Sequence, residues 1–367
     1  MEIDRTNSDS TQIKAESPNW GPFGEVAKYT AVLALMIFSV VLVRKKLGDV
    51  TWEQLWGAMQ SIPPYQIWLA VLFTCINFVV LTGYDLIAVR YLKKKLPLHN
   101  IMVGAIIGYA LSNVFGWLVG GNIVRFRLYS SWGFRLIEVV ALVSILSVTF
   151  WLGMFLLAGI AFVLLPVHLP ADYQELLHFS PYWYGLAFLG VVGAYLLATI
   201  FVRKPIHIGN QEFAFPPFRL SLLQLAVSAT DFALASLVLY ILLPPGTEDY
   251  ANYSTVLVSY LAAMIVVVVV HAPGGIGVLE LVVITILTKH AQDDGALKVA
   301  VFSGLLLFRL IYYVLPAIVA GVLLIHHEYK HARKNWKTAA KSKDTLSDGD
   351  SRENRTLGLT GERDELG

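Results

Sequence analysis

Apolar residues fill long windows of the chain, and polar residues collect in the gaps between them. A helix needs about 20 apolar residues to cross the hydrocarbon core of a bilayer. Windows of that kind predict about eight spans, at Val26–Val43, Ile67–Val89, Ile101–Val119, Leu136–Val163, Trp183–Val202, Leu220–Leu243, Tyr253–Val270 and Ala296–Ile325. The apolar segment Ile276–Thr288 is too short for an ordinary span, so it predicts a half-helix. The pattern is that of an all-α polytopic membrane protein.

The last two windows are separated by a segment rich in glycine. Pro273, Gly274, Gly275 and Gly277 precede Glu280 within an otherwise apolar run. Non-helical backbone at membrane depth is costly unless protein or a water-filled cavity satisfies its amide and carbonyl groups. The segment therefore predicts a re-entrant or broken helix that lines an internal cavity, with Glu280 in the first turn of the new half-helix. A glycine-rich connection between two short spans is the alternative.

A second glycine pair, Gly120–Gly121, is followed by Arg125, Arg127 and Tyr129. An interfacial loop would place the arginines on lipid phosphates and the aromatic residues at headgroup level. A second cavity loop would instead turn the arginines inward. Arginine suits bidentate contacts with phosphate, and the segment leaves both interpretations open.

Ionisable residues inside the spans are candidates for function, because they are costly in a bilayer and normally face a partner or a water-filled path. Asp231 lies midway along its span, and its structural alternative is an ion pair with a basic residue such as Arg309. Asp85 lies close to Arg90 and is expected near the interface. Arg309, in the last span, would most simply pair with Glu280.

The residues after Arg309 predict a local irregularity. Arg309, Tyr312 and Pro316 are spaced to share one helical face. Proline inside a helix removes a backbone hydrogen bond, so Pro316 is expected to kink the helix or to end its first half.

Small residues recur at every fourth position of one span, at Gly104, Gly108, Ser112, Gly116 and Gly120. A face of small residues lets helix backbones approach closely in lipid. We therefore expect tight helix packing along this face, which makes it part of the scaffold.

A weak internal repeat links the two halves of the chain. The pair Gly120–Gly121 corresponds to Gly274–Gly275, and Asp85 corresponds to Asp231. Many transporters place their site at the interface between such repeats. The predicted fold is thus about eight transmembrane helices plus glycine-broken half-helices, with a two-fold internal repeat.

The composition agrees with a membrane protein and excludes several functional classes. Of 367 residues, 56% are hydrophobic and only 15% are charged, whereas soluble domains carry about 25% charged residues. Cys75 is the single cysteine, which excludes an intrachain disulfide and a thiolate metal site. The sequence contains no Walker loop, HExxH pair or Gly-x-Ser-x-Gly elbow. It predicts no catalytic residue, enzyme activity, cofactor or metal, and its basic residues form no nucleic-acid patch.

The polar segments bound the domains but conflict over orientation. We expect a polar N-terminal segment, a transmembrane domain, and a basic juxtamembrane and disordered tail, at residues 1–25, 26–325 and 326–367. Basic residues favour the cytoplasmic side of a membrane. Arg44–Lys46, Arg203–Lys204 and the tail favour one orientation, whereas Arg90 with Lys93–Lys95 favours the opposite one under the simplest span count.

Three motifs together resemble a known family. They are GGNIVRFRLY at Gly120–Tyr129, PGGIGVLE at Pro273–Glu280 and RLIYYVLP at Arg309–Pro316. Their order and spacing are similar to those of the membrane domain of the lysylphosphatidylglycerol synthase/flippase family. The resemblance covers roughly Val26 to Ile325. It implies an integral membrane domain that moves aminoacylated phosphatidylglycerol between leaflets and protects against cationic antimicrobial peptides. Full-length family members continue into a soluble aminoacyltransferase domain, whereas a polar tail follows Ile325 here, so synthesis is not expected.

Motifs and charges lead to one hypothesis, phospholipid translocation of the flippase type through a polar cavity, in a bacterial inner membrane. Arg125, Arg127 or Arg309 would hold the headgroup phosphate, and Glu280 or Asp231 a cationic headgroup. The rest of the predicted lining is Tyr129, Pro273, Gly274, Gly275, Gly277, Tyr312 and Tyr313. The expected partners are anionic or aminoacylated phospholipids; homo-oligomers and a separate lipid-modifying enzyme are compatible with it. A secondary transporter of a small polar solute and a non-transporting membrane scaffold are the alternatives.

Overall fold

The computed structural model describes residues 51–116, 120–165, 180–202, 206–208, 211–213, 215–247, 251–270, 273–288 and 295–330. The helices among these residues are α1 (Trp52–Gln60), α2 (Pro64–Tyr91), α3 (Leu98–Phe115), α4 (Asn122–Ser131), α5 (Leu136–Leu164), α6 (Pro181–Phe201), α7 (Phe218–Ile241), α8 (Tyr253–Val270), α9 (Val278–Leu287) and α10 (Gly295–Lys330). Two short strands, β1 (Ile206–Ile208) and β2 (Gln211–Phe213), form an antiparallel pair with Ile206 opposite Phe213. Four helices begin at or directly after a proline, a position where its missing N–H leaves no donor unpaired.

The helices confirm the fold class predicted from the apolar windows. Among the described residues, 7 helices are long and apolar enough to cross a membrane. Each occupies one of the windows predicted from Ile67 onward, and α9 occupies the predicted half-helix. The window Val26–Val43, the N-terminal segment and the tail beyond Lys330 lie outside the described residues. The chain is an all-α polytopic membrane protein, with one small β-hairpin among the described residues.

Helix α7 lies against α2 and α5, and specific residue pairs give the direction of each helix. A β-carbon added at Gly83 would lie 3.1 Å from Val227, while Asn77 contacts Asp231. The residue number rises in one helix as it falls in the other, so α2 and α7 are antiparallel. A β-carbon at Gly153 would lie 2.2 Å from Ser228, one turn along from the bond between Thr149 and Gln224, so α5 and α7 are parallel.

The first glycine break turns the chain back on itself. A β-carbon at Gly121 would lie 1.9 Å from Ser112, one at Gly108 would lie 2.5 Å from Arg125, and one at Gly104 would lie 3.2 Å from Tyr129. Residue numbers fall by four on α3 as they rise by four on α4, so the two helices form an antiparallel hairpin. Tight packing on the small-residue face of α3 is confirmed. The segment from Gly120 to Tyr129 is a helix, so its prediction as a loop is wrong.

The second glycine break makes a similar hairpin from α8 and α9. Helix α9 packs along α8, and a β-carbon at Gly275 would lie 3.1 Å from Val267. The tips of the two hairpins touch, because a β-carbon at Gly274 would lie 2.7 Å from the Val114 carbonyl oxygen at the end of α3. Gly274 has φ +61°, a left-handed conformation that glycine adopts without steric cost.

The element order occurs twice, with opposite direction. Helix α2, the hairpin α3–α4 and helix α5 are followed, after α6, by helix α7, the hairpin α8–α9 and helix α10. Because α2 and α7 are antiparallel, the two hairpins enter from opposite faces of the protein. This is the arrangement of inverted repeats, in which a pseudo-two-fold axis lies in the membrane plane.

The hairpin α3–α4 settles one part of the conflict over orientation; Arg44–Lys46 and Arg203–Lys204 lie outside the described residues. It returns to the face from which it starts, where Lys94 pairs with Glu138 at 2.8 Å and Arg127 pairs with Glu328 at 2.8 Å. Lys93–Lys95 and the end of α10 therefore lie on the same face, and the prediction of opposite sidedness for these two clusters is wrong. The simplest span count treated α3 as a complete crossing, which reverses the side of everything before it.

Candidate functional site

Arg309, which is partly buried, and the buried Glu280 form a pair that holds the second hairpin tip. The guanidinium donates through Nε to Glu280 Oε1, and through Nη2 to Glu280 Oε2 at 3.0 Å. It also donates to the carbonyl oxygens of Gly274 at 2.8 Å and Gly275 at 2.9 Å. Four of its five N–H groups are thus occupied within the protein. The expected pairing of Arg309 with Glu280 is present, and the arginine also satisfies the carbonyls that the glycine break leaves unpaired.

Local sequence explains why these two groups meet. Glu280 lies in the first turn of α9, where it accepts the Gly277 N–H at 2.9 Å; a carboxylate is favoured there by the helix dipole. Arg309 begins a π-helical stretch that ends at Val314, just before Pro316, which has no N–H to donate. Helix α10 continues past Pro316, and the local irregularity expected in this segment is the π-helical stretch that precedes the proline. A π-helical turn is common where a functional or strained site widens a helix.

Asp85 and Arg125 form a second buried pair, between α2 and the first hairpin. The two side chains meet in a fork at 3.4 Å for both contacts, and Tyr129 donates its hydroxyl to Asp85 at 2.6 Å. The guanidinium carbon of Arg125 lies 4.3 Å from the centre of the Tyr109 ring. Asp85 is fully buried inside the protein, six residues before the end of α2. Gly108 leaves the space that this arginine occupies.

The two arginines of the first motif take opposite directions. Arg125 is buried on the inner side of α4, whereas the side chain of Arg127 is 62% exposed and pairs with Glu328. The two arginines of this segment therefore differ in environment, one facing the protein interior and the other the protein surface. Trp132 lies on the same face as Arg127, with its ring 5.8 Å from that of His327.

Asp231 lies between the two ion pairs and has a different environment. It accepts hydrogen bonds from Asn77 Nδ2 at 2.9 Å and from the Tyr84 hydroxyl at 2.9 Å. Asn77 Nδ2 also contacts the hydroxyl of Tyr312. No cation pairs with Asp231 among the residues described. The alternative of an ion pair with Arg309 is therefore wrong.

Ring contacts join the three groups into one continuous polar file. The Tyr109 ring lies 5.6 Å from the Tyr84 ring, the Tyr312 ring lies 5.8 Å from the Tyr313 ring, and Arg309 lies 5.0 Å from Tyr313. Along the axis of α10, at 1.5 Å per residue, Arg309 lies about 28 Å from Glu328 at the protein surface. The file consists of Arg125, Asp85, Tyr109, Tyr84, Asp231, Asn77, Tyr312, Tyr313, Arg309 and Glu280.

The file brings together six of the twelve residues predicted for the site, with Tyr129 bonded to Asp85 beside it, and adds three that sequence reasoning missed. Arg127 lies outside it on the surface, and Pro273, Gly274, Gly275 and Gly277 form the hairpin tip that Arg309 and Glu280 hold. The missed residues are Asn77, Tyr84 and Tyr109. Asn77 carried a usable signal, because an amide in the middle of an apolar window requires a hydrogen-bond partner; the two tyrosines gave none.

Comparison with known proteins tests the family resemblance independently of the structure. No protein-family model matches the chain. It is 32% identical over 324 residues to the uncharacterized protein slr0712 of Synechocystis, covering 88% of this chain and 98% of that protein. It is 28% identical over 325 residues to the inner membrane protein YbhN of Escherichia coli, covering 88% of this chain and 98% of YbhN.

A third relative bears on the membrane motifs. The chain is 25% identical over 316 residues to a phosphatidylglycerol lysyltransferase of Staphylococcus haemolyticus, which is 85% of this chain but 35% of that enzyme. The chain thus spans about a third of the length of this relative. Together with the three motifs and the described helices, these matches show that the chain belongs to the lysylphosphatidylglycerol synthase/flippase family through its membrane domain.

Proposed function

We propose that this protein moves phospholipids between the two leaflets of a bacterial inner membrane, and that its substrate is aminoacylated phosphatidylglycerol or a lipid of the same headgroup chemistry. The observation that carries the proposal is the buried polar file between the two oppositely inserted hairpins. Ionisable groups at that depth are retained in membrane proteins mainly where a substrate or ion passes. The names of YbhN and of the staphylococcal enzyme support the membrane and the lipid class.

The chemistry of the file suits a headgroup that carries both charges. Asp231 would receive an ammonium group, because it is the buried carboxylate without a cation among the described residues. Arg125 would receive the phosphate. Its contacts with Asp85 are 3.4 Å long, whereas strong charge-assisted bonds are about 2.7–2.9 Å, so this arginine can turn toward a second anion.

Arg309 would have a positioning role. Its bonds to the carbonyls of Gly274 and Gly275, and through Nη2 to Glu280, are 3.0 Å or shorter and hold the hairpin tip, so it is poorly placed to release Glu280 for a lipid. The acyl chains would stay in the bilayer while the headgroup crosses along the file.

The test is a leaflet-exchange assay with the purified protein in unilamellar vesicles. Lysyl-phosphatidylglycerol is placed in both leaflets, and a membrane-impermeant amine reagent labels the outer pool. With the protein present, the inner pool should also become labelled at a rate well above that of protein-free vesicles. Equal rates with and without protein would contradict the proposal. Labelling of entrapped soluble lysine instead would favour a transporter of small polar solutes.

A matched pair of variants links the activity to the file. Asp231→Leu removes the carboxylate, and Thr230→Val changes the neighbouring exposed residue of the same helix. We expect Asp231→Leu to lower the exchange rate at least tenfold and Thr230→Val to leave it unchanged, at equal amounts of monodisperse protein. If both variants exchange lipid as the unchanged protein does, the file is not the path.

A further inference from the structure

The described residues include four buried carboxylates, and three of them face a cation. Asp85 pairs with Arg125, Glu138 with Lys94 and Arg135, and Glu280 with Arg309. Asp231 accepts hydrogen bonds only from neutral groups, the Asn77 amide and the Tyr84 hydroxyl. Among the described residues, Asp231 therefore lacks the neighbouring positive charge that the other three buried carboxylates have.

The elements packed around α7 supply no other charge to Asp231. The titratable groups within electrostatic range of Asp231 are tyrosines: Tyr84 of α2, Tyr109 of α3, Tyr260 of α8 and Tyr312 of α10. Arg309 of α10 and Arg125 of α4 are engaged with Glu280 and Asp85. On α5, Glu138 belongs to the surface pairs with Lys94 and Arg135.

A buried carboxylate without a cation is strongly disfavoured, so the empty site must be neutralised. A proton on Asp231 neutralises the carboxylate when no substrate is present. A cationic headgroup neutralises it when the lipid is bound. The two cannot share the carboxylate, because a protonated acid no longer attracts the ammonium.

We propose that Asp231 exchanges one proton for one cationic headgroup, so that a proton gradient drives the lipid in the opposite direction. The inference rests on the lipid translocation proposed above. On binding, the proton leaves a carboxylate oxygen of Asp231 for water on the side to which the path opens, and the ammonium takes its place. Because coupling between two ligands is reciprocal, protonation from the other side expels the headgroup there.

Asn77 gives this site a second ligand. Its side chain is fully buried, and its Oδ1 accepts no hydrogen bond from the described residues. Buried polar atoms are almost always paired. The amide nitrogen is already committed to Asp231 and Tyr312, so the carbonyl oxygen is available to accept from an ammonium group beside the carboxylate.

The experiment measures how the lipid is finally distributed between the two leaflets, and not how fast that distribution is reached. Vesicles containing the protein and lysyl-phosphatidylglycerol are given a pH difference, with the membrane potential clamped. A one-for-one exchange should enrich the lipid in the leaflet facing the acidic side by about tenfold per pH unit, relative to protein-free vesicles. Asp231→Asn should still equilibrate the lipid, more slowly, but to an even distribution at every pH difference. Glu328→Gln, a surface control, should behave as the unchanged protein.

The outcomes separate the two proposals. An even distribution with the unchanged protein, reached faster than without protein, would overturn the proton exchange and leave translocation intact. No acceleration at all would overturn both.

A second measurement does not depend on transport by the variant. In weakly buffered detergent, the unchanged protein should release one proton for each lysyl-phosphatidylglycerol bound, and Asp231→Asn and phosphatidylglycerol should give none. Release by the soluble amine lysine methyl ester with none by the lipid would overturn the lipid as the exchanging ligand.

Discussion

Contact between the two hairpin tips can be tested with three glycines that share a positive φ. Gly274, Gly275 and Gly277 have φ of +61°, +64° and +75°, so an alanine at any of them carries left-handed strain of about 1–2 kcal/mol. They differ in what the added β-carbon meets. At Gly277 it meets nothing within 4 Å, at Gly275 it lies 3.1 Å from a Val267 methyl, and at Gly274 it lies 2.7 Å from the Val114 carbonyl oxygen.

The differences set the expected order of stability. Gly277→Ala should lose only the strain. Gly275→Ala adds a contact with a side chain that can shift, so its loss should be intermediate. Gly274→Ala forces two backbones apart, and overpacking of that kind costs about 1–3 kcal/mol beyond the strain. The difference between the variants at 274 and 277 is therefore expected to be about 1–3 kcal/mol.

The assay is thermal unfolding in one detergent at one heating rate, followed by tryptophan fluorescence and by the monodisperse fraction after heating. A loss of 1 kcal/mol lowers the melting temperature by about 2–4 °C in chains of 150–250 residues, so Gly274→Ala should melt several degrees below Gly277→Ala. Equal melting temperatures for these two variants would refute the contact between the tips, since backbone strain would then account for the whole loss of stability in both.

Three further expectations concern charge and packing. Arg125→Gln should destabilise the protein by about 3–5 kcal/mol because it strands a buried carboxylate, whereas Arg127→Gln should cost at most about 1 kcal/mol; comparable melting temperatures would contradict the assignment of inner and outer arginines. Arg309→Lys keeps the charge but leaves two glycine carbonyls unpaired, a loss of about 2–6 kcal/mol, seen as faster proteolysis at the second hairpin. Gly153→Ala, where α5 meets α7, should lower the melting temperature, whereas Gly190→Ala, which meets nothing within 4 Å, should not.

The sequence predicted the helices well because their signal is local. Long apolar windows have few other solutions in a bilayer, and every window in the described part of the chain contains a helix. The glycine break before Glu280 was also predictable, because backbone chemistry alone forbids it from facing lipid. The same reasoning identified Glu280 and Arg309 as partners.

What could not be predicted depends on how distant segments meet. A window of apolar residues does not reveal whether its helix crosses the membrane or returns, so the hairpin α3–α4 was counted as a crossing and the orientation came out contradictory. Asp231 and Asn77 are 154 positions apart, and nothing local in either segment indicates that they touch. Arg125 and Arg127 have the same chemistry, and only the helical turn of α4 separates their directions.

The distribution of the buried ion pairs has a consequence for how the two halves are made and how they move. Asp85 with Arg125 belongs wholly to the first half, and Glu280 with Arg309 wholly to the second. Each half can therefore enter the bilayer with its charges already matched, before the other is complete. Across the boundary, the buried polar contacts described are the hydrogen bonds around Asp231 and the bond between Gln224 and Thr149, beside close packing at Gly153 and Gly274. The two halves can therefore separate without leaving an arginine unpaired in hydrocarbon. The boundary that carries the proposed path is thus the one whose opening costs the least electrostatic free energy.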